Sequence, residues 1–578
     1  MLYYAEKLVR LLLLVFSFYG FMQTARRRLD VNLSLAFIFA SIGSLMFAAG
    51  ILNLLPETAA FICLLGCALG VCSIRRRDSV LALVSPGTLF FAVGSVVMAA
   101  LLLRTKFTSY DNFSHWAIVV KRMLATDRFP NFSDVNIQFQ SYPLGSSCFI
   151  YYIAKVSGIR FEWMQMLAQA VLMLGMIAAL FSCSRRPVTH LLTAVVGVAL
   201  LAGDIAFTSL LVDTLLPLTA LAGLALCVTC RDRLGEQPWL LLPFLLFLMS
   251  IKNSGLLFDA VLIACMLCCG RKALRGHARA FALTALSPFA LLLLWQKHVK
   301  LVFSDGMHAK HSLSLSLFAA TLQEKGADTI DTIASGMLGR VFSLSNPMLH
   351  VLLLLLALVL IGRFCLRDRQ SPHFLAPLVL GSYAAYELGL FLMYLLTMPT
   401  GEALILAGYS RYEKTILIFS AGAVWIYACQ LLGRPLPGAL RRAASAMLAA
   451  LCAVSVFTLV KPSLSYFRRQ TLRGTTREAY DRLIEDYDIP AGCRYMILRS
   501  QNDDGYLFYL TRYLLDPQAV SSAELSWLIE LPDLWRDYDY LITLNPSEEI
   551  QTYLSEHFEL SPVIDLSLYK DEQTASDM

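Results

Sequence analysis

Apolar residues in this chain run in long blocks, not in the alternation of a strand. The first, "LVRLLLLVFSFYGFMQT" (8–24), is followed at once by a second, and such blocks recur along about 460 positions. Most reach roughly 18 residues, enough for a helix to cross a hydrocarbon core of about 30 Å. The pattern predicts spans at roughly 6–24, 31–54, 58–74, 79–103, 162–183, 188–204, 207–229, 238–251, 254–269, 279–297, 348–362, 374–396, 413–432 and 443–461. The short pair 238–251 and 254–269 reads equally as one broken hairpin. A membrane barrel would show alternating segments of about ten residues instead. The first block has no small-x-small cleavage site, so it is expected to remain as a helix.

The polar breaks between blocks are basic on alternate sides. Arg26–Arg28, Arg75–Arg77, Arg185–Arg186, Arg231–Arg233, "GRKALRGHAR" (270–279), "RFCLRDR" (363–369) and "GRPLPGALRR" (433–442) form one set. Positively charged loops stay cytoplasmic, so the remaining regions, 104–161, 298–347, 397–412 and the tail, are expected to face outward. The chain then begins outside, despite Lys7 and Arg10.

The outward loop 104–161 is too long for a simple turn. "DNFSHWAIVVKRMLATDRFP" (111–130) has helical apolar spacing at Phe113, Trp116, Ile118, Val119 and Met123. "SYPLGSSCFIYYIAKVSG" (141–158) is apolar but too short to span. Two interfacial helices are expected, with aromatic residues toward lipid and polar edges toward water; simple capping of the bundle is the alternative.

The tail, 463–578, changes character. "RYMILRS", "YDYLITL" and "PVIDLSLYK" are strand-like, whereas "GYLFYLTRYLL" and "PSEEIQTYLSEHF" are helical. The chain is thus expected to divide into N-terminal transmembrane helices (1–103), an outward loop with interfacial helices (104–161), a transmembrane core (162–462) and an extracytoplasmic accessory domain (463–578). The fold class is an all-α polytopic membrane bundle of about 14 spans, with interfacial helices in an outward loop and a small C-terminal α/β soluble domain.

Composition supports this division. Of 578 residues, 57% are hydrophobic and 16% charged, where a soluble protein carries about 25% charged residues. The overall charge of +6 conceals a tail with 10 Lys/Arg against 21 Asp/Glu, net −11, on a body of net +17. Short topology-setting loops account for the basic body, so no nucleic-acid partner is expected. Most of the 14 cysteines lie inside apolar blocks. The pair Cys227 and Cys230 reads as buried structural thiols better than as a metal or redox motif.

Several stretches together resemble a family. An Asp in the first large outward loop is followed by a helix, then by Tyr142-Pro143-Leu144 opening a short helix, then by an outside-to-inside span over 162–183. "TSLLVDTLLPLTALAGLAL" (208–226) has an Asp near its outer end, "LMSIKNSGLLF" (248–258) has a Lys in a helix break, and "GYSRYEKT" (408–415) has an Arg-Tyr element. Their order resembles the GT-C superfamily of polytopic glycosyltransferases. Protein O-mannosyltransferases and lipid A aminoarabinose transferases are the nearest types. The resemblance covers roughly 100–430. It implies a polyprenyl-phosphate sugar donor, a cell-envelope acceptor and a place in the cell membrane.

Such a transfer needs a proton acceptor within about 3 Å of the attacking group and cations for the departing phosphate. One carboxylate suffices for an inverting displacement. Asp111 is the candidate base, with a helix N-cap as its alternative. Asp213, about two turns inside a span, is the second catalytic candidate, because ionisable groups in spans face cavities or partners. Asp204 just before it reads as a loop carboxylate, and Glu387 has no partner legible in the sequence. Lys252 and Arg411 are candidate phosphate ligands, with snorkelling as the alternative for Arg411. His115, one turn on, shares a face with Asp111 and is a candidate substrate contact, to orient that carboxylate, bind a metal or contact phosphate, with a plain interfacial histidine as the alternative; Trp116 suits an interfacial anchor. In "SDGMHAKHSLS" (304–314), His308 and Lys310 are candidate substrate contacts. His308-x-x-His311 with Asp305 is too loosely spaced to specify zinc, and a divalent cation is the one cofactor left open. The rival function is a transporter or flippase of lipid-linked envelope glycans, which would show inverted repeats and paired broken helices.

Overall fold

In the computed structural model, residues 2–134, 137, 139–303, 315–365, 373–433, 438–487, 490, 492–499 and 505–574 are described. The chain forms two compact units. A helical unit holds 1–104, 122–133 and 139–469, and a smaller unit holds 105–121, 134–138 and 470–578.

The helical unit is a membrane-type bundle. Among the described residues nine helices are long and apolar enough to cross a bilayer. Five shorter apolar helices accompany them: Pro86–Leu102, Pro187–Leu201, Leu215–Thr229, Pro238–Ile251 and Gly255–Gly270. Burial sorts the long helices into two sets. Val31–Ile51, Glu162–Cys183 and Tyr409–Leu432 are 72%, 89% and 94% buried over their most apolar windows, whereas Tyr4–Ala25, Leu274–Val302 and Pro347–Phe364 are only 28% buried. The outer set exposes Leu12, Val15, Leu283, Leu286, Leu293 and Leu353. So much exposed apolar surface calls for lipid rather than water, and a helix satisfies its own backbone there.

Close backbone packing fixes part of the outer layer. The helices Leu2–Ala25 and Leu55–Arg75 meet through Ser17 and Gly20 on one and Gly66 and Gly70 on the other. A Cβ on Gly20 would fall 2.0 Å from the carbonyl oxygen of Gly66. Small residues on both faces let two helices approach where lipid offers no hydrophobic drive.

The basic connections gather together. Arg27 pairs with Asp78 at 2.5 Å and Arg26 with Asp78 at 3.6 Å. The guanidinium of Arg233 donates to the carbonyl of Arg28. Lys7 and Arg10, by contrast, lie beside Gly158, where the short helix Gly145–Ser157 ends.

Three expectations differ from the structure. The block 207–229 is not helical throughout: its helix begins at Leu215, and 202–214 is irregular backbone. The apolar residues of 111–130 are not presented outward either, since Phe113, Trp116, Ile118, Val119 and Met123 are all buried. Trp116, at 4% exposure, is a core residue rather than an interfacial anchor. Helical backbone over Leu315–Val341, interrupted by a kink at Gly326, also falls in the region 298–347, where no helix was expected.

The smaller unit is an α/β layer. Strands β1 (Arg494–Arg499), β2 (Ala519–Glu524), β3 (Tyr540–Thr543) and β4 (Val563–Asp565) form one sheet in the order β2-β1-β3-β4. β1 runs parallel to β2 and β3, and β4 is antiparallel to β3. Central β1 buries Tyr495, Met496, Ile497 and Leu498 in succession, the unbroken apolar run of a strand covered on both faces. β2, "AVSSAE", was not legible as a strand because its side chains are small and polar. Met496, Leu541, Ile550, Leu554 and Ile564 form the core.

Segment 105–121 is built into this unit. Lys106 pairs with Asp481 at 2.9 Å, and Arg477 donates to the Phe107 carbonyl at 3.2 Å. The Tyr506 hydroxyl donates to the Thr108 carbonyl at 2.9 Å, and Phe113 packs edge-on against Tyr506.

Gly20→Ala is expected to destabilise the helical unit by roughly 1–3 kcal/mol through overpacking. Gly381→Ala, whose Cβ would meet nothing, should stay within about 0.5 kcal/mol of the parent. Thermal unfolding in detergent compares the two.

Candidate functional site

In the helical unit, charged side chains converge where three interrupted segments meet. The first is 202–214. Its carbonyls are taken up by side chains instead of a helix: Gln169 donates to Leu211 at 2.9 Å, Tyr466 to Asp204 at 2.7 Å and Thr415 to Asp213 at 3.2 Å. Irregular backbone at membrane depth persists only with such partners. The second segment is the break between the helices Leu242–Ile251 and Gly255–Gly270, where Lys252 is extended, with φ −161° and ψ 148°. The third is the first turn of Tyr409–Leu432, entered through Gly408 at φ 73°.

Asp213 is the centre, with its side chain only 4% exposed. Lys252 Nζ lies 2.9 Å from its Oδ1, and Arg411 Nε lies 3.9 Å from its Oδ2. Tyr412 supports both cations: its ring lies 5.4 Å from Lys252 Nζ and 5.2 Å from the Arg411 guanidinium, and its hydroxyl accepts from Arg411 Nη2 at 3.4 Å. The phenol of Tyr142 is within electrostatic reach of Asp213, Lys252, Arg411 and Tyr412. The Tyr142-Pro143-Leu144 element is brought there by Gly145, where a Cβ would fall 2.1 Å from Ser250 Oγ. A second, looser pair lies alongside: Lys414 and Asp204 at 3.9 Å. Arg411 and Lys414 are three residues apart, so they share a helix face.

This arrangement has a chemical consequence. One carboxylate faces two cations, which leaves a net positive charge in a largely dry site. Arg411, at 33%, is the most exposed of the three side chains, and the excess charge is therefore presented toward it. Such a set can receive an anion, and a guanidinium grips phosphate bidentately. Asp213, with a cation at each oxygen, is better placed to orient Lys252 and Arg411 than to accept a proton.

Asp111 belongs to the other compact unit. It precedes a π-turn, Asn112–Trp116, and its side chain makes no capping hydrogen bond. Single π-turns occur frequently at functional sites. The wider winding also shifts the face relation expected for Asp111 and His115. The His115 ring is 1% exposed and packs edge-on against Trp116 at 4.8 Å. Burial pushes its imidazole down to about 3, so it is neutral at physiological pH.

Other sequence-level candidates find places. Glu387 accepts a hydrogen bond from Tyr409 at 3.0 Å. Asp259 is fully buried, with no hydrogen bond to either oxygen. Its signal was a lone Asp inside "GLLFDAVLIACMLCC", which the sequence reading passed over. Lys414 was also missed, because snorkelling lysines at helix ends are common. Cys227 is buried as a free thiol, its carbonyl accepting from Cys269 at 3.6 Å. His308, Lys310, Asp305 and His311 lie outside the described residues. Among the described residues, no three His, Cys, Asp or Glu side chains are grouped to hold a metal ion. Comparison with family models, curated proteins and solved structures gives no match.

Asp213→Asn is expected to destabilise the helical unit by about 3–5 kcal/mol, because it strands a buried Lys252. Adding Lys252→Met should restore most of that loss in thermal unfolding.

His115 gives a pH signature. Its folded pKa lies below the unfolded value of about 6.5, so its stabilising contribution is complete above that pH. The contribution is lost as pH falls toward 3. One histidine should stay neutral at pH 5 in a ¹⁵N-histidine spectrum, and that resonance should vanish in His115→Gln.

Proposed function

We propose that this chain is a cell-membrane glycosyltransferase that moves a sugar from a polyprenyl-phosphate donor to an extracytoplasmic cell-envelope acceptor. The observation that carries the reading is the Lys252–Asp213–Arg411 set, a net cationic site among apolar helices. A lipid-borne phosphate is the anion that reaches such a place without leaving the bilayer. The five short helices, crossing with the nine long ones, give the bundle fourteen spans. The gathered basic connections then face the cytoplasm, and the chain start and the C-terminal domain lie outside.

In the transfer, an acceptor hydroxyl or amine attacks the anomeric carbon from the side opposite the phosphate. The acceptor–carbon bond forms as the carbon–oxygen bond to phosphate breaks, and the sugar inverts. The acceptor proton passes to a carboxylate, for which Asp111 is the candidate. The bonding pair leaves with polyprenyl phosphate, whose growing charge Lys252 and Arg411 offset. Asp213 holds these two cations in position. His115 supports the fold of its own segment.

A second reading, transport or flipping of lipid-linked glycans, draws on one feature. Irregular backbone at 202–214 and the break at 252–254 make two interrupted segments, as broken-helix transporters have.

Purified protein incubated with labelled polyprenyl-phosphate sugars and cell-envelope acceptors tests the proposal. Sugar should pass to an acceptor fraction with inverted anomeric configuration. Arg411→Ala should lower the rate by roughly 10²-fold or more, and Asp111→Asn by roughly 10²–10⁴-fold, with folding retained. Translocation of lipid-linked glycan with no transfer would select the second reading.

A further inference from the structure

Beside the cations that face Asp213 lies a pair whose charges cancel. Lys414 is three residues past Arg411 in the helix Tyr409–Leu432, on the same face. Asp204 is within electrostatic reach of Lys414, Arg411 and Asp213. Its side chain is only 8% exposed, yet among the described residues its Oδ2 has no hydrogen-bond partner. Its Oδ1 lies 3.9 Å from the Lys414 ammonium, beyond hydrogen-bonding distance. A buried carboxylate so weakly answered by protein calls for a donor from elsewhere.

Asp204 is pinned where it stands. The Ser463 amide donates to the Ala202 carbonyl at 2.8 Å, and the Tyr466 hydroxyl donates to the carbonyl of Asp204 itself at 2.7 Å. Just beyond, Phe207 packs edge-on against Tyr466 and Phe467, with ring centroids 6.1 and 5.2 Å apart. The turn is thus fixed on both sides of the carboxylate. Lys414, half-exposed, keeps donors to offer.

A gap of this length accommodates one bridging oxygen that donates to the carboxylate and accepts from the ammonium. A water can take that place, and so can a hydroxyl of a ligand. The carboxylate opposes an anion there and the ammonium opposes a cation, so the pair suits a neutral group. The neighbouring set, one carboxylate against two cations, suits an anion instead. A ligand that satisfies both carries a phosphate and, next to it, a neutral hydroxylated group.

We propose that Asp204 and Lys414 form the subsite for the sugar of the donor lipid. Oδ1 of Asp204 accepts a hydrogen bond from a ring hydroxyl of a neutral sugar, and the Lys414 ammonium donates to the same hydroxyl. Lys252 and Arg411 hold the phosphate alongside. The assignment rests on the transfer reading above for the lipid phosphate, and adds the residues that recognise the sugar.

The test measures affinities of the full chain in detergent for polyprenyl phosphate alone and for polyprenyl-phosphate mannose, glucose and N-acetylglucosamine. At least one sugar-bearing lipid should bind roughly tenfold or more tighter than the bare lipid. Asp204→Asn/Lys414→Met removes one charge of each sign. It should cut that ratio to about twofold or less and leave the affinity for bare polyprenyl phosphate unchanged. Lys414→Met alone changes only a half-exposed side chain, and should lower the ratio likewise whether or not the double variant folds. Arg411→Ala should weaken every lipid, the bare one included. A parent that binds none of these lipids, or binds them equally well with Arg411→Ala, overturns the transfer reading and the subsite with it. Lipids held through Arg411 with no gain from any of the three sugars, or a gain that survives Lys414→Met, overturn the subsite alone.

Discussion

An ionised carboxylate held at 4% exposure is stabilised by cations beside it, and three segments of the helical unit are arranged to bring them. Lys252 reaches Asp213 only because the helix stops at Ile251 and resumes at Gly255. Arg411 reaches it only because Gly408, in the left-handed region, turns the chain into the first turn of the next helix. The non-helical stretch 202–214 then needs Gln169, Thr415 and Tyr466 to occupy its carbonyls. Each departure from regular helix is thus linked to the same buried charge.

The rest of the bundle obeys a simpler constraint. Helices near the centre exchange apolar side chains with one another, while those at the edge present leucine and valine outward. The contact of Gly20 with Gly66 shows how little room the outer pair leaves. Arginines gather at one set of connections, while the carboxylates Asp213, Asp259 and Glu387 are buried within the unit.

The smaller unit solves a different problem, a parallel sheet that needs cover on both faces. Helices from the tail provide it, and segment 105–121 packs against two of them, through Phe113 on Tyr506 and the Phe107 carbonyl on Arg477, which is only 3% exposed and is answered by Asp481 at 2.9 Å. Asp111 and His115 therefore sit on a segment whose shape is set by residues more than 350 positions later, through contacts such as Arg477 to Phe107. The neutral imidazole of His115 belongs to that packing.

The existence and position of nearly every membrane helix were legible in the chain, because block length and hydrophobicity are local properties. The strands β1 and β3 were legible for the same reason; of the run 562–570, expected to be a strand, only Val563–Asp565 is one and Ser567–Thr574 is a helix, and β2 carries no such signal. The candidate residues Asp213, Lys252 and Arg411 stood out individually as charges in or beside apolar runs. Their meeting did not, since Lys252 and Asp213 are 39 positions apart and no periodicity links two separate helices. The π-turn after Asp111, the burial of Trp116 and the bond between Glu387 and Tyr409 were likewise decided by packing. Sequence fixes what each segment must bury; only the tertiary structure decides which charge answers which, because that depends on contacts between segments that share no local pattern.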